Sequence, residues 1–321
     1  MFSRADLVVL ADASHHPQAD RVQREAARET RACGLTLDAR FAAFNTLVPY
    51  VYPDASVERA VTAALWCDWL FFFDDRYDEV APGEADADAL QATIHAAMRA
   101  LRGERVPGDD PLLRYAARFR ERAIGCASAA WMERFCRSAE DYLVFGAMPA
   151  FAHHAAGSTP GLGEYLVQRE RDSAVHTALD LIELVNGREL PAEVLGDPAL
   201  ARLRSAAVRT VALLNDVLSY PKEVLVHGNP NNVVEVLRVH EGLSVEVALR
   251  RALDLANAEA LDVAALSADL RSRHGDEALA AWLAGVCQWQ RGHVESSLRE
   301  ARYRSPDSPF VELRPGAARA A

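Results

Sequence analysis

Lysine is almost missing from this 321-residue chain: of its 35 basic residues, only Lys222 is not arginine. Basic residues are also outnumbered, 35 against 46 acids, for a net charge of −11, which argues against nucleic-acid or anionic-membrane binding. An anionic small substrate would have to be received by local cations or metals. No apolar run reaches the roughly 18 to 20 residues that span a bilayer, so no stable membrane insertion is expected. The N-terminus, Met1-Phe2-Ser3-Arg4-Ala5-Asp6, lacks a basic flank leading into a long apolar core. These absences predict a soluble, cytoplasmic protein. Cysteine is scarce: Cys33, Cys67, Cys126, Cys136 and Cys287 are odd in number, scattered and free of any CxxC pair, which excludes a disulfide framework or a zinc-thiolate site. There is no Walker loop, no GxGxxG, no GxSxG elbow and no HExxH. The pairs His15-His16 and His153-His154 are adjacent, and adjacent residues point in different directions on a helix.

Alternating strand patterns, internal repeats and long linkers are absent as well. What remains is helix after helix, in a chain that is 50% hydrophobic and 25% charged and so has material for a large core. Apolar spacing predicts helices over residues 21–33 and 38–47, then a turn between Pro49 and Pro53. A long helix should run from Ser56 to Val80, stopped by Pro82-Gly83. Further helices are expected over 88–101, from Pro111 with Asp110 as cap, over 128–153, over 164–186, and from Asp197-Pro198 to Val226. The last ones should cover 233–240, 244–269 and 276–303. The prediction is one all-α domain over residues 1–304, followed by a frayed tail over 305–321.

Two stretches carry chemistry. In Phe71-Phe72-Phe73-Asp74-Asp75-Arg76-Tyr77-Asp78-Glu79, acids directly follow aromatics. On a helix Phe71 and Cys67 fall within about 60° of Asp74 on the turns below it, so one face reads carbon below and carboxylate above. In Asn215-Asp216-Val217-Leu218-Ser219-Tyr220-Pro221-Lys222-Glu223, oxygen-bearing side chains recur at every fourth residue. Asn215, Ser219 and Glu223 can thus climb one helix face as hard oxygen donors, suited to Mg²⁺ more than to zinc. The single lysine lies inside this motif.

Together these stretches resemble the class I terpene cyclases, particularly the bacterial ones, which carry a DDxxD-type motif and an (N/D)DxxSxxxE triad. Lesser features of that family match as well: Arg169 lies 46 residues before Asn215, Asp172 follows it, and Arg302-Tyr303 comes near the end with Trp289 upstream. The resemblance spans about Pro53 to Tyr303. It implies an α-helical bundle of the class I terpenoid synthase type with a central active-site cavity.

It also implies roles. Asp74 would hold two of three Mg²⁺ ions, and Asn215, Ser219 and Glu223 the third, while Asp75, Asp78 and Glu79 orient waters or arginines around them. Arg169, Lys222, Arg302 and Tyr303 would bind the substrate's diphosphate. Arg169 would act as its sensor, Asp172 as the link and Ser173 as the effector, a position more often glycine. Helix phase adds pocket walls: Cys67 and Phe71 below Asp74, Val208, Val211 and Ala212 below Asn215, and Trp289 in line with Tyr303. Trp66 and Trp69 point away from Asp74 and are structural. Pro221 departs from a regular helix and should kink the chain between Ser219 and Glu223.

The implied activity is Mg²⁺-dependent cyclisation of a linear prenyl diphosphate, with farnesyl diphosphate giving a sesquiterpene, or geranylgeranyl diphosphate as the alternative. The rivals are a chain-elongating prenyltransferase and an inactive helical binding protein. A homodimer is left open.

Overall fold

The computed structural model describes residues 1–36, 46–77 and 86–316. Its helices are, in chain order, α1 Ala19–Ala32, α2 Leu47–Val51, α3 Val57–Tyr77, α4 Ala87–Leu101 and α5 Pro111–Ala123. There follow α6 Ala129–Tyr142, a π-helical turn Leu143–Ala147, α7 Met148–Ala156, α8 Leu162–Asp172, α9 Val175–Asn186 and α10 Ala192–Leu195. The last are α11 Pro198–Tyr220, a second π-helical turn Pro221–Val226, α12 Val233–His240, α13 Val245–Arg273 and α14 Glu277–Ser297. Among the described residues the sole β-type pairing is an isolated bridge between Phe2 and Phe310.

Side chains at the helix starts accept the orphan N–H groups. Asp86, Asp110, Ser128, Asp197, Asn232, Ser244 and Asp276 each cap the helix that follows. Pro111 and Pro198 occupy the first turn, where no N–H is needed.

Which helices lie inside follows from which are buried on every face. From Ala60 to Trp69 every residue of α3 is buried, as is every residue of α9 from Thr177 to Val185. Along α11 and the C-terminal half of α14 burial is nearly as complete. The amphipathic helices α1, α4, α5, α6 and α13 bury one stripe each and pack around these four. Trp66 and Trp69 stack on each other at 5.0 Å and donate to Thr177 Oγ1 and the Leu112 carbonyl, so their role is structural, as the helix phase indicated. At Gly292, α14 meets the backbone of α2: a Cβ there would lie 2.4 Å from the Tyr50 carbonyl oxygen.

Several expected boundaries differ. The turn expected between Pro49 and Pro53 begins inside α2, because Pro49 falls in a first turn that tolerates it. One helix over 164–186 is two, broken at Ser173 and Ala174. The Ser173 hydroxyl donates to the Glu170 carbonyl and accepts from the Val175 N–H, satisfying groups that a continuous helix would pair. Ala174 then adopts φ 58°, the one non-glycine residue with positive φ among those described. α14 stops at Ser297 rather than Tyr303: Glu300 is extended, and Arg302 and Tyr303 sit on a separate 3₁₀ turn. Within the tail expected to fray, Phe310 and Leu313 are buried in a core they share with Phe2, α11, α12 and α13. Residues 38–45 of the helix expected over 38–47, and residues 78–80 of the helix expected from Ser56 to Val80, with Asp78 and Glu79, lie outside the described residues. No helix among the described residues is long and apolar enough to cross a membrane.

Candidate active site

The four buried helices surround a cavity of about 250 Å³. Cys67, Phe71, Asp74 and Asp75 reach it from α3, and Val211, Ala212 and Asn215 from α11. The π-helical turn adds Lys222 and Glu223, and the broken α8–α9 junction adds Arg169, Asp172 and Ser173. Trp289 comes from α14, and Arg302 and Tyr303 from the 3₁₀ turn after it. Residues more than 230 positions apart in sequence thus share one wall.

Val208 does not line this cavity. It is fully buried two turns below Asn215, about 10 Å along α11 and beneath the floor that Val211 and Ala212 form. Ser219 is not on the lining either. It is 1% exposed, and its Oγ has no hydrogen-bond partner.

At the cavity's polar end, Arg169 is held by three oxygen acceptors. Its Nε donates to Asp216 at 2.8 Å, one Nη to Asp172 at 2.9 Å and the other to the Asn215 amide oxygen at 3.1 Å. Asn215 in turn donates to the Tyr303 hydroxyl at 2.9 Å. Asp216, fully buried, also accepts from the Tyr165 hydroxyl at 2.6 Å and the Val233 N–H at 2.9 Å. Burial pushes the Asp216 carboxyl up to about 7, opposed by Arg169. Since a guanidinium does not deprotonate and two further donors point at the same carboxylate, the pair stays ionised.

Asp74 accepts from the Tyr142 hydroxyl at 3.0 Å. Its burial raises the carboxyl to about 7, while Tyr142, Arg302 and Arg169 hold it down and Asp75 pushes it further up. The Arg302 guanidinium lies over the faces of Phe71 at 4.8 Å and Tyr303 at 4.7 Å, beside the Glu300 carboxylate at 2.5 Å. Burial raises the Tyr303 phenol to about 12, which keeps it a hydrogen-bond donor.

Pro221 does more than kink the triad helix. It has no N–H to give to the carbonyl four residues back, and from it the chain widens into the π-helical turn that carries Lys222 and Glu223. Glu223 still reaches the cavity, and the Asn232 amide fixes its carboxylate at 3.3 Å.

Among the described residues no three His, Cys, Asp or Glu side chains converge on one point. The cavity presents instead the Asn215 amide and the Glu223 carboxylate, with the carboxylates of Asp74 and Asp75 from α3, while the Ser219 hydroxyl lies buried between the first two in sequence. A hard cation that keeps waters and substrate oxygens in its shell fits so sparse an oxygen set. The unpartnered Ser219 hydroxyl fits it too, since a buried oxygen without a partner is costly until something supplies one.

Several residues of the site were not legible in the sequence. Asp216 is the second residue of its motif but carries no ligand role there; its phase, about 100° from Asn215, turns it toward α8. Tyr142, His293 and Glu300 carry no motif, and Tyr142 lies 68 positions from the carboxylate it touches. Gly146 lets the first π-helical turn approach the backbone of Arg171 and Asp172, where a Cβ would sit 2.7 Å away.

Residues 65–261 match the family model "Terpene synthase family 2, C-terminal metal binding". Over 258 residues the chain is 33% identical to the (+)-T-muurolol synthase of Roseiflexus castenholzii, described as (2E,6E)-farnesyl diphosphate cyclizing, covering 78% of each. It is 27% identical to the 10-epi-cubebol synthase of Sorangium cellulosum, covering 95% of this chain and 99% of that one. Among solved structures, the SVS_A2 protein from ancestral sequence reconstruction superposes with a TM-score of 0.83 at 24% identity, over 91% of this chain and 89% of that one.

Proposed function

The chain belongs to the bacterial class I terpene synthases, lyases that act on prenyl diphosphates, and from that premise we propose that it cyclises farnesyl diphosphate to a sesquiterpene with Mg²⁺. The reading rests on one observation above all: guanidinium and phenol donors gather with oxygen ligands at one end of a cavity whose other walls are apolar and aromatic. Asp74 on one side and Asn215, Ser219 and Glu223 on the other would hold the ions, three in all, with Asp75 beside them. Bound Mg²⁺ supplies stabilisation of the charge that develops on the departing diphosphate.

The chain's own groups then divide the work. Arg169, Arg302, Lys222 and Tyr303 bind and orient the diphosphate through charge-assisted hydrogen bonds. Asp172, linked to Arg169, and Ser173, at the helix break beside it, couple that binding to the cavity wall. Phe71 and Trp289 present π faces to the cation left behind, and Cys67, Val211 and Ala212 keep its surroundings free of water. Trp289 is fixed for this by its N–H donating to the Tyr52 hydroxyl, which donates to the Ala178 carbonyl.

The farnesyl choice is supported by the printed substrate of the T-muurolol synthase relative. Incubation with Mg²⁺ and C10, C15 or C20 diphosphates, followed by gas chromatography, tests it. A cyclic C15 product supports the proposal, a cyclic product from the C20 substrate alone replaces the substrate, and a longer diphosphate overturns cyclisation in favour of elongation.

A further inference from the structure

On the cavity wall, one turn above Trp289 on α14, lies an imidazole that neither motif accounts for. His293 is 7% exposed and lines the cavity. Its ring lies parallel to the Trp289 indole within 8°, with centroids 6.0 Å apart. The Nδ1 atom is buried with no partner, and no side-chain hydrogen bond to His293 forms among the described residues. No carboxylate is paired with it to keep it charged. The other imidazole on the lining, His227, is exposed.

A buried ring nitrogen left without a partner costs stability, so its place on the cavity wall calls for a use. Burial, with Arg302 and Arg169 nearby, depresses the imidazolium to about 3, and the ring therefore waits in its neutral form. A weak base suffices in this setting, because a C–H bond beside a cationic carbon is a very strong acid. The two arginines also disfavour the imidazolium once it forms, which speeds its return to neutrality.

Resting on the terpene cyclase reading above, we propose that His293 accepts the proton that ends the carbocation sequence. In the hydrocarbon-forming case the C–H bond next to the last cationic carbon breaks. Its electron pair becomes the new C=C π bond, and the proton passes to an imidazole nitrogen. If water captures the cation instead, a C–O bond forms, the water's O–H electrons stay on oxygen, and the same nitrogen takes the proton. The imidazolium then yields that proton to the released diphosphate, and the neutral ring is restored. Trp289 holds the ring flat against the wall, so transfer occurs at a fixed position and selects which proton is lost.

The test uses the full chain with Mg²⁺ and farnesyl diphosphate, with His293→Phe, which keeps a flat ring, and His293→Gln, which keeps a polar but non-basic group. Diphosphate release should fall by no more than about tenfold, because His293 makes no side-chain hydrogen bond to the residues proposed to hold the diphosphate, while the principal product's share falls at least about tenfold in both variants. An unchanged product distribution in either folded variant would overturn the inference, as would a loss of diphosphate release beyond about tenfold in folded protein, which would place His293 in ionisation. If His293→Phe does not fold, His293→Gln decides alone. Wild type that releases no diphosphate from C10, C15 or C20 substrates would sink the cyclase reading and this one together, whereas active wild type with indifferent variants sinks only this one.

Discussion

Replacing Asp216 with asparagine should be among the most damaging isosteric changes in the molecule. The carboxylate is fully buried and receives the Arg169 guanidinium, the Tyr165 hydroxyl and the Val233 N–H. An asparagine keeps one acceptor oxygen but turns an NH₂ toward the remaining donors, and it removes the countercharge at Arg169 Nε. Breaking a buried pair on one side costs about 3 to 5 kcal/mol. Because Asp172 still holds one Nη of Arg169, the lower end applies, about 3 kcal/mol. Tyr165→Phe, which deletes a single hydroxyl from the same carboxylate, should cost about 1 kcal/mol. Urea unfolding of both variants, followed by helical signal, reads these values. At temperatures where Asp216→Asn remains folded, diphosphate release should still fall by more than about tenfold, since Arg169 has lost the bond that aims it. A destabilisation of Asp216→Asn below about 1 kcal/mol, or one no larger than that of Tyr165→Phe, would refute the clamp as described.

Asp74→Asn should reduce diphosphate release by more than about a hundredfold while leaving the melting temperature unchanged or raised, because it removes a buried charge from the cavity; a loss of folding would contradict this. Gly292→Ala forces a methyl to within 2.4 Å of the Tyr50 carbonyl oxygen, so α14 and α2 must separate at a cost of about 1 to 3 kcal/mol, read as a lowered urea midpoint. Asp68 supplies a pH test away from the site. Burial raises its carboxyl to about 7, so the folded state binds the proton more tightly than the unfolded chain. Wild-type stability should therefore fall relative to Asp68→Asn as pH rises from about 4 to 7, by no more than about 4 kcal/mol. Urea midpoints of the two proteins that stay parallel across that range would disprove it.

Arginine and tryptophan positions illustrate how much was legible in advance. Caps and prolines marked the starts of α5 and α11 because their cause is local: Asp110 and Asp197 each accept a hydrogen bond from their own first turn. The break at Ser173 and Ala174 was not legible, because a serine hydroxyl competing with helix hydrogen bonds looks the same in sequence as a serine that does not. The same limit applies to the end of α14. Helix phase places Trp289 and Tyr303 on one face only if the helix runs through both, and it stops at Ser297; the two meet at the cavity because the chain turns back at Glu300.

By itself the sequence determined the all-α class, the family and the two oxygen-rich motifs, since each depends on spacing within one helix, where 3.6 residues per turn convert sequence separation into direction. The tertiary structure decided which of those groups meet. It brings Tyr142 to Asp74, Asp216 to Arg169, and His293 and Trp289 to the wall beside Phe71, and it leaves Val208 beneath the floor. These contacts join residues tens to hundreds of positions apart, and they follow from how four largely buried helices pack on one another. Local periodicity carries no information about that packing.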